Sequence, residues 1–366
     1  MERIVVVIGT RPEAIKLCPL INELKRRNRW DVRVMSTGQH RAMLDSALSA
    51  FDVTPDFDLG VMRRGQTLSD LGTRILDGAA ALFRAKKPSL VVVQGDTASA
   101  FFAALAAFYQ GIPVAHVEAG LRTYRMDSPF PEELHRRAIA LLAKYHFAPT
   151  EDARRNLLNE GVPHSSVIVT GNTVVDALRY TLTEKKVDLP PLLSSDARVL
   201  LFTAHRRESQ GECLGGMLRA LRDVVEAHED VVALVPVHRN PAVRAETLDV
   251  LKGAPRIRLI EPPSFVTFHH LLSKAFLVLT DSGGIQEEAV ALGVPTLVMR
   301  DHTERAEGIR AGVLRLVGTN EKNIRNTANR LLSQNSLEYS AMKQPSDVFG
   351  DGYASVSIAD FLETVI

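Results

Sequence analysis

Apolar residues in this chain gather into short solid runs separated by segments of helical periodicity. Ile4-Val5-Val6-Val7-Ile8 is stopped by Gly9, and Thr10-Arg11-Pro12-Glu13 then turns into a helical pattern that lasts to about Arg27. A solid apolar run bounded by glycine predicts a strand buried on both faces, and Pro12 suits a first helical turn. The alternation continues with strands over 32–36, 90–94, 113–117, 145–148 and 166–170. Helices are predicted from about 40 and over 66–85, 98–109, 132–142 and 150–160. Strands alternating with helices of this length predict βαβ units and a parallel sheet.

After Gly171 another helix leads into Lys185-Lys186-Val187-Asp188-Leu189-Pro190-Pro191, the best linker in the chain, and the pattern restarts. Strands follow over 199–203, 231–236, 256–260, 276–280, 295–299 and 313–317, and helices over 213–227, 241–252, 264–274, 284–292 and 320–333. The expected fold class is α/β, with two doubly wound Rossmann-like domains facing a central cleft. Domains are expected over 1–171 and 172–350, with 351–366 a helix packing back on the first. A length of 366 residues exceeds one ordinary core and fits two. A cleft between two such domains is a preferred place for a ligand.

Composition narrows the classes. Hydrophobic content of 45% with 24% charged residues describes a soluble globular chain. A net charge of +1 gives no electrostatic reason to expect a nucleic-acid or membrane partner. Only Cys18 and Cys213 occur, so no disulfide framework is available. With no signal peptide after Met1-Glu2-Arg3 and no apolar run near the roughly 20 residues that span a bilayer, a cytoplasmic location is expected.

Polar groups sit where the strands end, which is where open parallel sheets place chemistry. Glu118 follows the strand entered at Pro113; Glu132 opens the helix after Ser128-Pro129-Phe130-Pro131, with Arg122 between the two carboxylates. Burial or charge could push such acids to different pKa values, giving one acid and one base. The structural alternative is that Glu132 and Glu133 complement a helix dipole. Further strand ends carry Arg11 and Lys16, Gln39 and His40, Asp96, His205 and Arg206, and His238. Ser282-Gly283-Gly284 stands between a strand and a helix, where backbone N–H groups can approach an anion. A tight turn capped by Ser282 is the plainer reading. Arg11, Lys16, His205, Arg206 and Arg305 could converge on one phosphate. Glu288 could accept from ribose hydroxyls, and Phe268 could present a ring to a base or simply belong to the core. No G-x-G-x-x-G, Walker or H-E-x-x-H pattern occurs, so neither a nicotinamide nor a bound metal is expected.

The motifs GTRPEAIK, TGQH, QGDT, HVEAGLRT, PEE, GNTVVDAL, TAHRRE, PVHRNP and DSGGIQEEA run in order over nearly the whole length. In them the chain resembles the non-hydrolysing UDP-N-acetylglucosamine 2-epimerases of bacteria. That resemblance implies a glycosyltransferase-B-like fold, a homodimer, no cofactor, and UDP-GlcNAc, UDP-ManNAc and UDP as ligands, supplying cell-surface polysaccharide synthesis. The implied reaction expels UDP while the C2 proton leaves, giving 2-acetamidoglucal, and then re-adds UDP.

By resemblance Asp96, Glu118 and Glu132 are the acid–base carboxylates, and His205 assists at the diphosphate. Arg11, Lys16, Ser282, Gly283 and Gly284 would hold phosphates, Glu288 the ribose, Phe268 the uracil, and Arg305 the UDP. Gln39, His40, Gln66, Arg206 and His238 match positions that contact a second, regulatory UDP-GlcNAc in some relatives. Ser209, Ala306 and His135 depart from the usual pattern. The alternatives are a hydrolysing relative that releases free N-acetylmannosamine, a glycosyltransferase on the same fold, and a silent nucleotide-sugar sensor.

Overall fold

The computed structural model describes residues 1–38, 41–63, 65–189, 196–204, 211–238 and 240–366, with only the backbone of 41–43. Two compact units emerge: Met1–Tyr180 with Gly350–Ile366, and Thr181–Phe349. The division falls after Tyr180, beyond Gly171, because the intervening helix is tied to the C-terminal one by the contacts given below.

Unit 1 begins β1 (Arg3–Ile8), α1 (Arg11–Arg26), β2 (Asp31–Ser36), α2 (Arg41–Ala50), β3 (Phe57–Asp58), α3 (Leu68–Lys86) and β4 (Leu90–Gln94). It continues α4 (Ala98–Phe108), β5 (Val114–Val117), α5 (Glu132–Leu142), β6 (Tyr145–Ala148), α6 (Glu151–Asn159), β7 (Val167–Val169) and α7 (Thr173–Glu184), the last of these running past the division. Among the described residues the strands form one parallel sheet in the order β3-β2-β1-β4-β5-β6-β7. The chain builds outward from β1 to β2 and then jumps back to β4, so the connections that follow the neighbours β1 and β4 lead away in opposite directions along the sheet. Such a reversal opens a crevice, the usual ligand position in doubly wound sheets. Ile4 to Ile8 and Leu90 to Val93 are all fully buried, as their solid apolar runs require.

Unit 2 repeats the plan with β8 (Arg198–Thr203), α8 (Glu212–Ala227), β9 (Val231–Pro236), α9 (Pro241–Leu251), β10 (Ile257–Ile260), α10 (Phe265–Lys274) and β11 (Leu277–Thr280). Then come α11 (Gly283–Leu292), β12 (Thr296–Val298), α12 (Ala306–Arg310), β13 (Leu314–Leu316), α13 (Glu321–Leu332) and α14 (Leu337–Met342). Its parallel order is β10-β9-β8-β11-β12-β13, with the reversal between β8 and β11. The strand pattern in the sequence matches these elements to within a residue or two. The two-residue β3 and the short α12 and α14 carry too few positions for a period to be visible, and no such elements are predicted.

The last helix, α15 (Ala354–Val365), packs on α1 within unit 1. Asp176 of α7 accepts from the backbone N–H groups of Ala354 (3.1 Å) and Ser355 (2.7 Å), capping α15 from a distant part of the chain. Phe361 meets Tyr145 and Phe147 edge-on at 5.4 and 5.7 Å, and Arg27 pairs with Asp360 at 2.7 Å.

Candidate active site

In unit 1 the chemistry collects at the carboxyl ends of β1, β4 and β5. Glu118 directly follows β5 in the left-handed region, with φ of 62°, a conformation that costs energy in a residue other than glycine and is common where a side chain must be aimed. Its carboxylate is ringed by donors. Lys16 of α1 and Asn172 (2.9 Å) reach Oε1, and Gln94 at the end of β4 donates to Oε2. Lys16 is therefore on Glu118, where a phosphate role alone is expected from the sequence; its ammonium has three protons and can serve an anion as well.

Asp96 lies beyond β4, held from α5 on two sides. The guanidinium of Arg136 donates to Oδ2 at 2.5 Å, and the His135 ring, through Nδ1, bonds the Asp96 carbonyl at 2.9 Å while stacking on Phe101 at 5.1 Å. His135, which departs from the family pattern, is thus a support of Asp96. The surrounding protein pushes the Asp96 carboxyl above its usual range, and the negative charges of Glu118 and Glu132 add to this against Arg136 and Lys16. Glu132 is the first residue of α5 and half-buried.

The neighbouring Glu133 has a different task. Fully buried, it accepts from the backbone N–H groups of Thr123 and Tyr124, both at 3.0 Å, clasping the loop to the start of α5. Arg122, which stands between Glu118 and Glu132 in sequence, turns to neither. It makes a two-pronged pair with Glu160 at 2.9 and 2.7 Å, so its part is structural. Arg11 opens α1 beside this cluster.

Sequence reasoning assigns no role to Glu13, Gln94, Arg136 or Asn172. Glu13 is fully buried at the β1–α1 turn; its carboxylate accepts from Gly9 N (3.1 Å), Thr10 N (2.7 Å), Thr10 Oγ1 (2.7 Å) and Thr97 Oγ1 (2.8 Å). Burial raises it to about 7 despite these bonds. Gly9 allows this crowding, since a Cβ there would lie 1.9 Å from Ser99 Oγ. Beneath the site His116 bonds the Gly95 carbonyl at 2.7 Å and pairs in register with His146; burial holds them at about 3 and about 4.

In unit 2 the predicted glycine turn stands at the carboxyl end of β11. Ser282 is the N-cap of α11, and Gly283 and Gly284 form its first turn, with their N–H groups at the positive end of the helix. Glycine is needed at 283: a Cβ would sit 2.8 Å from Arg305 Nη1. Arg305 is buried there, with Nε on Glu287 at 2.8 Å and Nη1 on Glu304 at 2.5 Å. Among the described residues nothing lies within 4 Å of the corresponding point on Gly284. Glu288 is buried with its carboxylate 3.3 Å from His269 Nε2, whose Nδ1 is 2.7 Å from Thr181 Oγ1. Phe268 packs against the core of unit 2 with part of its surface exposed.

Gln66 in unit 1 accepts from Arg74 at 2.6 Å, and His238 in unit 2 accepts from Asn240 N at 3.1 Å. Gln39, His40, His205 and Arg206 lie outside the described residues.

Two doubly wound parallel units, with carboxylates at the strand ends of one and a glycine-led helix start in the other, define a Rossmann-like protein of glycosyltransferase-B-like architecture. The solved glycotransferase of kitacinnamycin shares this fold at 14% identity, with a TM-score of 0.65 and coverage of 99% of this chain and 98% of that one. The chain belongs to the UDP-N-acetylglucosamine 2-epimerase family, whose model matches residues 22–363. It is 47% identical to the UDP-N-acetylglucosamine 2-epimerase of Bacillus subtilis over 98% of this chain and 94% of that protein. The Neisseria meningitidis UDP-GlcNAc 2-epimerase bound to UDP-GlcNAc superposes with a TM-score of 0.93 at 42% identity, covering 99% of this chain and 100% of that one.

Proposed function

We propose that this chain interconverts UDP-GlcNAc and UDP-ManNAc without net hydrolysis. The observation that carries the reading is the cluster of Asp96, Glu118 and Lys16 at the reversal of the unit 1 sheet, in a chain of this family. The C2–H bond of the sugar is not acidic, so its proton must leave as the C1–O bond breaks. The C–H electron pair becomes the C1=C2 double bond, and the C1–O pair departs with UDP. Re-addition runs the same exchange backward after a proton arrives on the other face. One carboxyl group pushed above its usual range by burial and another ringed by donors suit these two duties. Glu132, whose charge bears on Asp96, completes the acid–base set, with His205 at the leaving oxygen.

The glycine turn, Arg305 and the cations Arg11 and Lys16 hold the diphosphate; Glu288 takes the ribose and Phe268 flanks the uracil. Gln39, His40, Gln66, Arg206 and His238 contact a second UDP-GlcNAc. Exposed Tyr109 and Leu141, at the ends of the adjoining α4 and α5, fit a homodimer contact. A cytoplasmic location and a supply role in cell-surface polysaccharide synthesis complete the proposal; among the described residues no helix is long and apolar enough to cross a membrane.

Incubation with UDP-GlcNAc in deuterated water tests the reading. It should yield both UDP-sugars with deuterium at C2. Accumulation of UDP with free N-acetylmannosamine would replace it by the hydrolysing reaction, and an absence of exchange would remove it.

A further inference from the structure

A glutamate at the third position of a helix commonly folds back on its own N-cap, and glutamates are seldom fully buried. Glu13 differs in two respects. It is fully buried, and only one of its oxygens serves α1. The other accepts the hydroxyl hydrogen of Thr97, 84 positions away in sequence, at 2.8 Å. Thr97 in turn accepts from Ala100 N at 3.0 Å, capping α4. A continuous line of hydrogen bonds therefore runs from the start of α4, through Thr97, to the turn that ends β1.

The ends of this line flank the acid–base cluster. Thr97 directly follows Asp96, and Lys16, on Glu118, lies three residues past Glu13, almost one turn along α1. Asp96 is clasped from the α5 side by Arg136 and His135. Leaving a carboxylate in so buried a place works against stability, since its pKa is displaced toward the neutral form. A helix cap alone does not require that placement.

We infer that Glu13 is a positioning residue which, through Thr97, sets the distance between Asp96 and the Lys16–Glu118 pair. This deepens the proposed epimerase reading and rests on it. Glu13 does not touch the sugar; it locks two strand-end turns to each other so that proton removal and return occur at fixed separation.

A double-mutant cycle with Glu13→Ala, Thr97→Val and the pair tests this, with Thr97→Ser as the conservative variant. Thr97→Ser keeps the hydroxyl and should stay within twofold of wild-type kcat for C2 deuterium incorporation. Thr97→Val should lower kcat at least tenfold with KM within threefold, and the double variant should be no slower than the slower single. The α4 cap is lost in both Thr97→Val backgrounds, so the cycle isolates the Glu13–Thr97 link. Multiplying effects, a Thr97→Val kcat within threefold of wild type, or a Thr97→Ser as slow as Thr97→Val would overturn the inference. A crystal structure of Thr97→Val supplies a readout independent of turnover. The 2.5 Å contact of Asp96 with Arg136 should lengthen or break; its survival with Asp96 unmoved would overturn the inference even if the wild type proved to catalyse another reaction.

Discussion

The buried histidine pair makes unit 1 sensitive to acid in a way that can be calculated. His116 and His146 are 0% and 1% exposed, and both are held neutral, at about 3 and about 4 against an ordinary 6.5. Burial is the main cause for each, and the nearby positive charge of Arg122 adds to it. His116 donates through Nε2 to the Gly95 carbonyl, and the Nδ1 atoms of both rings have no hydrogen-bond partner among the described residues. Protonating either ring would thus create a buried N–H with no acceptor. The unfolded chain takes up these two protons as pH falls through 6.5, whereas the folded unit refuses them until pH nears 4 and 3. The stabilising contribution is complete above 6.5 and drains away as pH drops toward the folded values. Between pH 7.5 and 5 each ring should cost about 2 kcal/mol of stability, roughly 4 together. Glu13 acts oppositely: with its folded value raised to about 7, it regains about 2 kcal/mol over the same descent. Comparison of a variant with wild type at both pH values cancels that term. His116→Gln preserves a donor toward Gly95; His146→Gln removes the second titrating ring. The single tryptophan, Trp30, is buried in unit 1, so its fluorescence during urea unfolding reports that unit. The double variant should lose about 4 kcal/mol of the wild-type pH dependence, and an unchanged dependence would refute neutral burial of the pair.

Three further outcomes follow from the packing. Gly283→Ala drives a methyl group into the Arg305 guanidinium, and a displacement costing about 1–3 kcal/mol should weaken UDP binding tenfold or more by titration calorimetry. Unaltered affinity would separate this turn from the nucleotide. Arg305→Leu deprives the 1%-exposed Glu287 side chain of its guanidinium and should destabilise unit 2 by about 3 kcal/mol in urea melts, with part regained by adding Glu287→Leu. Asp176→Ala removes the acceptor for Ala354 and Ser355 and should cost about 1–2 kcal/mol, seen as faster hydrogen exchange at the start of α15.

The contrast between Gly283 and Arg122 explains how far the residues alone could lead. Strands buried on both faces announce themselves through uninterrupted apolar runs, and so β1, β4, β8 and β11 were legible, along with the turns that follow them. A glycine pair between strand and helix carries its own local reason, which is why Ser282-Gly283-Gly284 was legible too. Side-chain pairing has no such local signature. Arg122 sits between two carboxylates in the chain, yet its partner Glu160 comes from beyond α6, and the guanidinium points away from both.

Asp96 marks the same boundary from the other side. Its position after a strand was enough to make it a candidate, but the rise in its pKa comes from burial, with Glu118 and Glu132 adding to it and Arg136 and Lys16 opposing it. Arg136 is 40 positions away, and its contact offsets part of the burial effect without reversing it. Burial and residues from α1, the β5 loop and α5 must all be in place before this carboxyl is shifted above its usual range. The chemistry of this site therefore belongs to the packed sheet reversal, and a residue such as Glu13, silent in sequence, reaches the turn of Asp96 through the Thr97 hydroxyl.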